Sequence, residues 1–505
     1  MKINVEALNI TAFTGDTIIV NLFEGVTAPG GVSAVDRALD GIISQLIADG
    51  EITGKLNSTT VIHTLGKIPA RRVVVVGLGK SAAFTRERAR QAAGSAVKAA
   101  RRANAKNVAT IVHGAGIGGL DPAQAAQAVT EGTLLALYHF KKYVTSTPEG
   151  GDVQSVTLAE MDTAKVSALE SGLQRGVIYA NATNFARDLI NEPGNVLNPA
   201  YLAEQAEFMA RELGLEVGTL DRKQMEEMAM GSILAVAQGS HQPPKLIVLR
   251  YWGAGKDDTK PVMALLGKAV TFDSGGISIK PSDNMEAMRG DMAGGAAVLG
   301  AMHAIAHLKP KINVTALVPA VENMPGGGAS RPGDIVKTMS GKTYEINSTD
   351  AEGRMILADA LTYARKLGCS FLVDVATLTG AVVIALGAEY TGAFSNNKGA
   401  LDKVLAAAEE SGEKVWPMPT DDEYKHQLKS EVADMKNIGG RAAGSITGAL
   451  FIGAFAEDTP WVHLDIAGTS SPSDNRERPY QPKFGTGVMT RTLAVLAEQM
   501  ANQGR

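Results

Sequence analysis

Hydrophobic runs alternate with amphipathic stretches along the first third of the chain. The runs at 17–23, 72–76 and 108–112 are rich in β-branched residues and are typical of buried strands. Between them, apolar positions recur with the helical period over 35–48 and 85–103. Apolar strands that alternate with amphipathic helices predict an α/β domain with mainly parallel strand pairing.

The same alternation resumes in the second part of the chain. A helical pattern over 163–189 stops at Pro193 and Gly194, two residues that end helices. Further strands are predicted at 246–250, 262–266, 314–318 and 371–375, and further helices at 296–307, 355–366 and 401–410. We therefore predict two α/β domains: a smaller N-terminal domain at 1–162, a connecting helix at 163–192, and a larger domain with a central mixed, mainly parallel sheet at 193–505.

Composition and charge narrow the classes of protein to consider. The chain is 45% hydrophobic and 20% charged, which is typical of globular proteins. A net charge of −4 indicates neither a general nucleic-acid binder nor a membrane-surface protein. The single cysteine, Cys369, excludes an intramolecular disulfide and a thiolate-rich zinc cluster. We see no secretion signal and no apolar run of the ~18 residues that a membrane helix needs, so we expect a cytoplasmic protein without membrane contact.

Two polar segments lie where chemistry is expected in a doubly wound domain, one beyond the carboxyl end of a predicted strand and one in the turn before a predicted helix. The first begins after the strand at 262–266, and the second precedes the helix at 355–366. Asp350 and Glu352 are two apart, so in extended backbone they point the same way. Lys268 and Asp273 converge only if the chain turns, which the nearby glycines permit.

The acidic side chains of these segments indicate a metal centre. Asp273, Asp291, Asp350 and Glu352 would repel one another in a single cleft unless cations neutralised them. Two divalent ions bridged by shared carboxylates are the natural solution. Oxygen donors suit Zn, Mn or Mg, and a deprotonated lysine amine could add a nitrogen ligand. Taken singly, each acid is better explained as a helix cap or a surface residue, so the prediction depends on their combination.

The second segment reads Asn-Ser-Thr-Asp-Ala-Glu-Gly-Arg over 347–354 and resembles the leucyl aminopeptidase (cytosol aminopeptidase) family. The motif of that family has the form Asn-Thr-Asp-Ala-Glu-Gly-Arg, usually followed by Leu. Here Ser348 is additional and Met355 stands in place of the leucine. The resemblance extends through the whole second domain, whereas the first domain looks like the more variable N-terminal domain of the family. The spacing of the first segment also matches, at Lys268, Asp273, Lys280 and Asp291.

The resemblance implies a two-metal aminopeptidase that acts on peptides with a free N-terminus. The metals would be Zn or Mn, with Mg or Co as further options. The amino group of the substrate would bind one metal, its scissile carbonyl would bind the other, and a water bridging both metals would attack. The tighter site would be formed by Lys268, Asp273, Asp291 and Glu352. The second site would be formed by Asp273, Asp350 and Glu352.

The same resemblance assigns further roles around the two metals. Lys280 would stabilise the oxyanion, and Arg354 would bind a bicarbonate ion that serves as the general base. Glu286 is an alternative base within the sequence. The family assembles as a homohexamer, which we expect here as well. A pocket that gives a leucine-type preference would be lined by Met288, Thr377, Gly380 and Ala467. Ser470 stands where some relatives carry an apolar residue, so the strength of that preference stays open.

A different class of function is suggested by the basic stretch at 71–106, which carries ten Lys or Arg residues against one acid, Glu87. Arg86, Arg90 and Arg101 can share one helix face. Such a face could bind DNA in an accessory role. An ordinary solvated helix face or an intersubunit contact is the alternative, and we favour it because aromatic interleaving and a recognisable reading motif are absent.

Overall fold

The computed structural model describes residues 1–26, 32–116, 118–146, 151–256, 262–472, 476 and 478–503. The chain forms two compact units. The first contains residues 1–181 and 476–482, and the second contains residues 182–475 and 483–505. The helix predicted to connect two domains at 163–192 is a 3₁₀ turn at Thr163–Lys165 followed by a long α-helix at Val166–Asn191.

The first unit is built on six strands and the helices between them. Its strands are β1 (Lys2–Ala7), β2 (Thr17–Leu22), β3 (Thr59–His63), β4 (Arg72–Gly77), β5 (Asn107–Ile111) and β6 (Ser155–Glu160). Its helices are α1 (Ser33–Ala38), α2 (Ile42–Ala48), α3 (Arg86–Arg102), α4 (Pro122–Ala136) and the start of α5 (Val166–Asn191). Short 3₁₀ turns occur at Ile10–Ala12 and Ser81–Ala83.

The six strands form one sheet in the order β1-β6-β5-β2-β4-β3, in which only β3 is antiparallel to its neighbour. Alternate residues of β2 enter two separate hydrophobic cores. Ile18 and Val20 pack with α1 and α2, whereas Ile19 packs with α3 and α4 on the other face. The single helix predicted at 35–48 is wrong: Asp40 and Gly41 adopt positive φ angles and divide it into α1 and α2.

The second unit contains the larger sheet. Its strands are β7 (Glu216–Leu220), β8 (Lys245–Trp252), β9 (Val262–Gly267), β10 (Ala269–Asp273), β11 (Asn313–Asn323), β12 (Ile335–Lys337), β13 (Thr343–Glu345), β14 (Cys369–Ala376), β15 (Thr391–Ser395), β16 (Val415–Pro417), β17 (Met435–Lys436) and β18 (Trp461–Asp465). Its helices are α6 (Pro199–Leu213), α7 (Arg222–Glu227), α8 (Gly231–Ala237), α9 (Ala293–Leu308), α10 (Glu352–Lys366), α11 (Gly380–Leu386), α12 (Lys398–Ser411), α13 (Gly444–Ala456) and α14 (Thr490–Gln503), with 3₁₀ helices at Met285–Gly290 and Asp422–Leu428.

The main sheet of this unit runs in the order β16-β15-β18-β14-β9-β11-β8-β7, with β10 alongside β11. Its central strands β18, β14, β9 and β11 are parallel, and antiparallel strands flank them. The predicted fold class, two α/β domains with a mixed, mainly parallel central sheet, is confirmed. In the part of the chain that the structure describes, no helix has the length and apolar character needed to cross a bilayer.

Candidate metal centre

Lys268 lies between two strands that both pair with β11. Strand β9 ends at Gly267 and β10 begins at Ala269, and the chain continues along β11 in the same register instead of turning there. The register shifts only between Val270 and Phe272, and this irregularity lies between Lys268 and Asp273. Glycine is needed next to Lys268, because a Cβ on Gly267 would lie 2.5 Å from the carbonyl oxygen of Gly294. The lysine side chain is 3% exposed.

The ammonium group of Lys268 contacts oxygen atoms from three other segments of the chain. Its Nζ lies 2.8 Å from a carboxylate oxygen of Asp291 and 2.8 Å from one of Glu352. It also donates to the carbonyl oxygen of Thr377 at 2.7 Å. Burial lowers the pKa of Lys268, but the surrounding carboxylates outweigh burial and raise it above the usual value. In this arrangement the lysine is a cation that holds the site together, and it would have to lose its proton to bind a metal.

Asp273 ends strand β10 and is held by hydrogen bonds on both sides. One carboxylate oxygen accepts from the backbone N–H of Gly275 at 2.9 Å and from the Asn323 amide at 2.8 Å. The other lies 2.7 Å from Nζ of Lys280. Burial and the nearby Glu352 carboxylate raise the pKa of Asp273 despite these partners. A carboxylate that is both buried and crowded in this way favours binding of a cation.

The segment at 347–354 does not continue as extended backbone, so the geometry predicted for Asp350 and Glu352 is wrong. Helix α10 begins at Glu352, three residues before the predicted start at 355. Both residues still point into one cluster, because Asp350 precedes the helix and Glu352 forms its first turn. An acidic residue in the first turn is stabilised by the helix dipole. Arg354 is also helical and buried.

Three carboxylates meet in this cluster. Oxygen atoms of Asp273, Asp350 and Glu352 all lie within 4.8 Å of one another. Asp291 joins them through Lys268, so four carboxylates face two ammonium groups, those of Lys268 and Lys280. Burial and the neighbouring negative charges raise the pKa values of Asp291 and Asp350. This excess of negative charge, carried on oxygen ligands, suits hard divalent cations.

One buried oxygen atom supports the same conclusion. Oε2 of Glu352 is shielded from solvent and has no hydrogen-bond partner among the described residues. Buried polar atoms rarely lack a partner, and a metal ligand is one of the few explanations. Because Glu352 belongs to the carboxylate cluster, the residues present fit a bound divalent ion.

The two cationic residues predicted to be catalytic are both at this site. Lys280 contacts Asp273 and lies 2.5 Å from a carboxylate oxygen of Asp350, and its side chain is partly exposed. Arg354 donates from Nη1 to the carbonyl oxygen of Asn437 at 2.9 Å. Its Nε is buried without a hydrogen-bond partner among the described residues. Burial lowers the pKa of Arg354 to about 10, so the guanidinium remains charged at neutral pH.

Two of the four residues predicted to line the side-chain pocket contact the carboxylate cluster through Asp291. Thr377 donates from Oγ1 to Asp291 at 2.6 Å, and the carbonyl oxygen of Met288 accepts from the Asp291 N–H at 3.2 Å. Gly380 is the exposed first residue of α11, and a Cβ there would meet open space. Ala467 follows β18, and its backbone N–H donates a hydrogen bond to a carboxylate oxygen of Asp465. The described contacts do not join these four residues into one wall.

Three residues that organise the site were missed by the sequence reasoning. Asn323 binds Asp273, and Asp465 binds the backbone N–H of Leu378 and the hydroxyl of Thr379. Both end parallel strands of the central sheet, so a systematic search of strand ends could have found them. Asn437 lies 83 positions from Arg354 in a region without regular pattern, and no sequence signal indicated it.

Comparison with known proteins agrees with this geometry. Residues 184–494 match the model of the cytosol aminopeptidase family, catalytic domain, and residues 19–147 match that of its N-terminal domain. The chain belongs to the cytosol aminopeptidase family. It is therefore a metallo-aminopeptidase, a hydrolase that removes N-terminal residues from peptides, as the sequence predicted.

Relatives of this aminopeptidase match it over its whole length. A probable cytosol aminopeptidase from Solibacter usitatus is 48% identical over 98% of this chain and 99% of its own, and one from Alkaliphilus metalliredigens is 45% identical over 99% and 100%. Among solved structures, a mutant of tomato leucine aminopeptidase has a TM-score of 0.88 at 32% identity, covering 99% of this chain and 96% of its own. The bottromycin maturation enzyme BotP, in complex with Mn, has a TM-score of 0.84 at 32% identity, covering 96% and 100%.

The basic face considered for DNA binding takes a different form in this aminopeptidase. Arg90 is only 2% exposed, and its Nε lies 2.7 Å from a carboxylate oxygen of Glu131 on α4. Arg90 also pairs with Glu87. Lys98 donates to the backbone carbonyl of Arg478 at 2.6 Å. The expectation that Arg86, Arg90 and Arg101 form one solvated cationic face is therefore wrong, and the DNA-binding alternative is not supported.

Proposed function

We propose that this enzyme is a two-metal aminopeptidase with a leucine-type preference. The observation that carries the proposal is the meeting of Asp273, Asp350 and Glu352 within 4.8 Å, beside the buried Lys268. Carboxylates at this spacing can share cations, and a shared pair of ions needs bridging ligands of this kind. The first metal would be held by Lys268, Asp273, Asp291 and Glu352. The second would be held by Asp273, Asp350 and Glu352.

When bound, two divalent ions of the Zn or Mn type would supply the Lewis acidity that activates a bridging water and polarises the scissile carbonyl. The chain itself keeps the ligands in position. Asn323 fixes one oxygen of Asp273, and Thr377 fixes one oxygen of Asp291. Ligand carboxylates with hydrogen-bonded partners bind metals in a defined orientation. These contacts prepare the site before any substrate enters.

Lys280 would act on the substrate as a cation. Its ammonium group is held between Asp273 and Asp350, and 22% of its side chain remains exposed. A positive charge fixed at the mouth of the cluster can stabilise the negative charge that develops on the carbonyl oxygen. We assign this role to Lys280 on its position beside both carboxylates.

Arg354 would hold a bicarbonate ion that accepts the proton of the attacking water. The buried guanidinium is charged, and its Nε has no described hydrogen-bond partner. A planar anion is the group that such a donor recognises best. A carboxylate of the chain would be a poor base here, because the acidic residues of the cluster would be engaged with metal.

The preference for leucine would come from Met288 and Thr377, which contact Asp291, together with Gly380 and Ala467. Space beside Gly380 supports this proposal, because a side chain of the substrate could occupy it. We further propose a homohexamer located in the cytosol. The assembly is inferred from the family resemblance and the location from the names of the relatives.

The proposed function is tested with leucyl-p-nitroanilide and its N-acetylated form. We expect turnover of the free amine only, loss of turnover on chelation, and recovery with Mn or Zn. Alanyl and phenylalanyl analogues measure the preference, and light scattering after size exclusion measures the oligomer. Equal hydrolysis of the acetylated substrate, or turnover that survives complete removal of metal, would contradict the proposal.

A further inference from the structure

A cavity lies in the first unit, whereas the acidic residues of the metal centre belong to the second unit. It encloses about 370 Å³ at the carboxyl edge of the N-terminal sheet. Its lining comes from the ends of β1, β2, β4, β5 and β6 and from the segments that follow them. A volume of this size lies in the range of small-molecule sites. None of the residues assigned to the peptidase chemistry is part of the described lining, so the cavity needs a separate explanation.

The cavity lies where the sheet reverses its winding. Strands β2 and β5 are parallel neighbours. The helices after β2 pack on one face of the sheet with Val20, whereas α4 after β5 packs on the other face with Val108. The segments that leave these two strands therefore diverge and open a crevice between them. Ligands of open α/β sheets bind in crevices of this kind.

The loop after β5 contributes glycines to the wall. Gly114 has a φ of +94°, and a Cβ at Gly114 or Gly118 would lie 2.6 or 3.0 Å from the Phe84 ring. Backbone conformation and close packing therefore explain why glycine stands at positions 114 and 118. They do not explain the glycine at Gly116, which lies outside the left-handed region and where a Cβ would meet nothing within 4 Å. The absence of a side chain at Gly116 keeps this wall of the crevice open.

The polar groups of the wall are a small set of neutral donors and acceptors. The Asn21 amide lies 2.8 Å from Nδ1 of His113, and among the described contacts its carbonyl oxygen is left as an acceptor. Oδ1 of Asn9 accepts from the backbone and hydroxyl of Thr11, which leaves the Asn9 amino group as a donor. His113 itself is fully buried and is not part of the described wall, so the Asn21 carbonyl oxygen and the Asn9 amino group are the neutral side-chain groups of the wall that can pair with a ligand.

Charge narrows the class of ligand further. Glu160 and Lys165 line the cavity, and their charges are opposite. The other described residues of the wall are uncharged, and most are apolar, such as Phe23 and Val112. A di- or polyanion would find no excess of positive charge here. An uncharged flat ring would bury its faces against the apolar wall and pair its edge with the amides.

We propose that this crevice binds a neutral, planar heteroaromatic molecule of nucleoside size. The ring would lie beside the glycine loop, where Gly116 leaves room. Asn21 and Asn9 would read its edge, since carboxamides pair well with the donor and acceptor edge of a purine. The apolar wall would supply the binding energy and the amides the orientation.

The probe is adenosine, titrated into the full-length metal-loaded protein by calorimetry and observed by saturation-transfer NMR. We expect saturable binding of one molecule per chain. Gly116→Leu fills the open wall and should weaken binding by about tenfold or more. Gly151→Leu is the matched control, because a Cβ there makes only an ordinary 3.8 Å contact with Lys106. Ala34→Trp, at an exposed position on the cavity lining, provides a second obstruction that does not touch the glycine loop.

The outcomes separate the alternatives. Adenosine that does not saturate by about 1 mM overturns the proposal, provided that the protein is folded. Binding that is unchanged in both Gly116→Leu and Ala34→Trp, with melting temperatures near that of the wild type, overturns the location. Indole that binds as tightly as adenosine shows a merely apolar cavity, and AMP that binds about tenfold tighter than adenosine shows an anion site. Either result also overturns the proposal.

Discussion

The side chain of Asn437 pairs with the backbone of Ser348 through two hydrogen bonds. Its amino group donates to the Ser348 carbonyl at 2.7 Å, and its carbonyl oxygen accepts from the Ser348 N–H at 3.3 Å. The same oxygen accepts from the N–H of Asn347 at 2.8 Å, and the backbone carbonyl of Asn437 accepts from Arg354. A single fully buried residue therefore fixes the segment that leads into Asp350 and also binds the guanidinium of Arg354, four residues further along the chain.

We predict that Asn437→Ala lowers metal affinity or turnover by about 10–100-fold, the usual cost of losing an outer-shell partner. Asn437→Asp should also be impaired, because it removes the donor to Ser348 and buries a negative charge beside the acidic cluster. Metal content and kcat/KM of both variants provide the measurement. Asn396→Ala is the matched control, since Asn396 also joins backbone segments through its amide but binds Glu457, Thr459 and Trp461. Equal losses in the variant and the control would indicate a general effect on folding.

A second prediction concerns the shared ligand. Glu352→Ala should reduce metal content and turnover together, by more than the about 10–100-fold expected for an outer-shell residue. The reason is that Glu352 would bind both ions, and its Oε2 has no other described partner. Metal content is measured by mass spectrometry after gel filtration. The exposed Glu286, an alternative base, is the control. Normal activity in Glu352→Ala would reject the site assignment, and a large loss in Glu286→Ala would return that residue to consideration as the base.

A third prediction separates metal binding from proton transfer. Arg354→Ala should retain its metal but turn over substrate slowly, because the anion site is lost. Added bicarbonate should accelerate bicarbonate-depleted wild-type enzyme and partly rescue the variant. The control is Arg365→Ala. Arg365 lies on the same helix, is partly exposed and pairs with Glu457, so this variant should behave like the wild type. Rates that do not respond to bicarbonate in either protein would show that the base lies elsewhere.

A fourth prediction concerns the pH dependence of stability. Burial lowers the pKa of His113 from 6.5 to about 4. Between these values the unfolded chain binds the proton more readily than the folded one, so stability falls as the pH is lowered. The loss attributable to this group is about 2 kcal/mol between pH 7 and pH 5. His113→Gln should flatten the urea-unfolding profile over this range, whereas exposed His63→Gln should not. Parallel profiles for the wild type and His113→Gln would contradict the prediction.

Local sequence patterns determined much of this protein. The bounds of strand β4 and helix α3 were each predicted to within one residue. A β-branched run and an amphipathic period are direct signals of strand and helix backbone. The family resemblance brought attention to Asp350 and Glu352, but not to their backbone geometry. Helix α10 begins at Glu352 and residues 352–354 are buried, and no local pattern in this segment indicated either.

Tertiary structure alone decided the partners of these residues. Arg90 was placed on a helix face expected to be solvated or to form an intersubunit contact, yet packing of α3 on α4 buries it against Glu131. Asn437 and Ser348 are 89 positions apart, and nothing local in either segment specifies the other. Local patterns therefore indicated many of the elements, and the motifs indicated the family and the chemical character of the acidic segments. Which side chains meet was decided by the sheet order and the close packing of its helices, because contacts between distant segments are set by burial of the whole chain rather than by neighbouring residues.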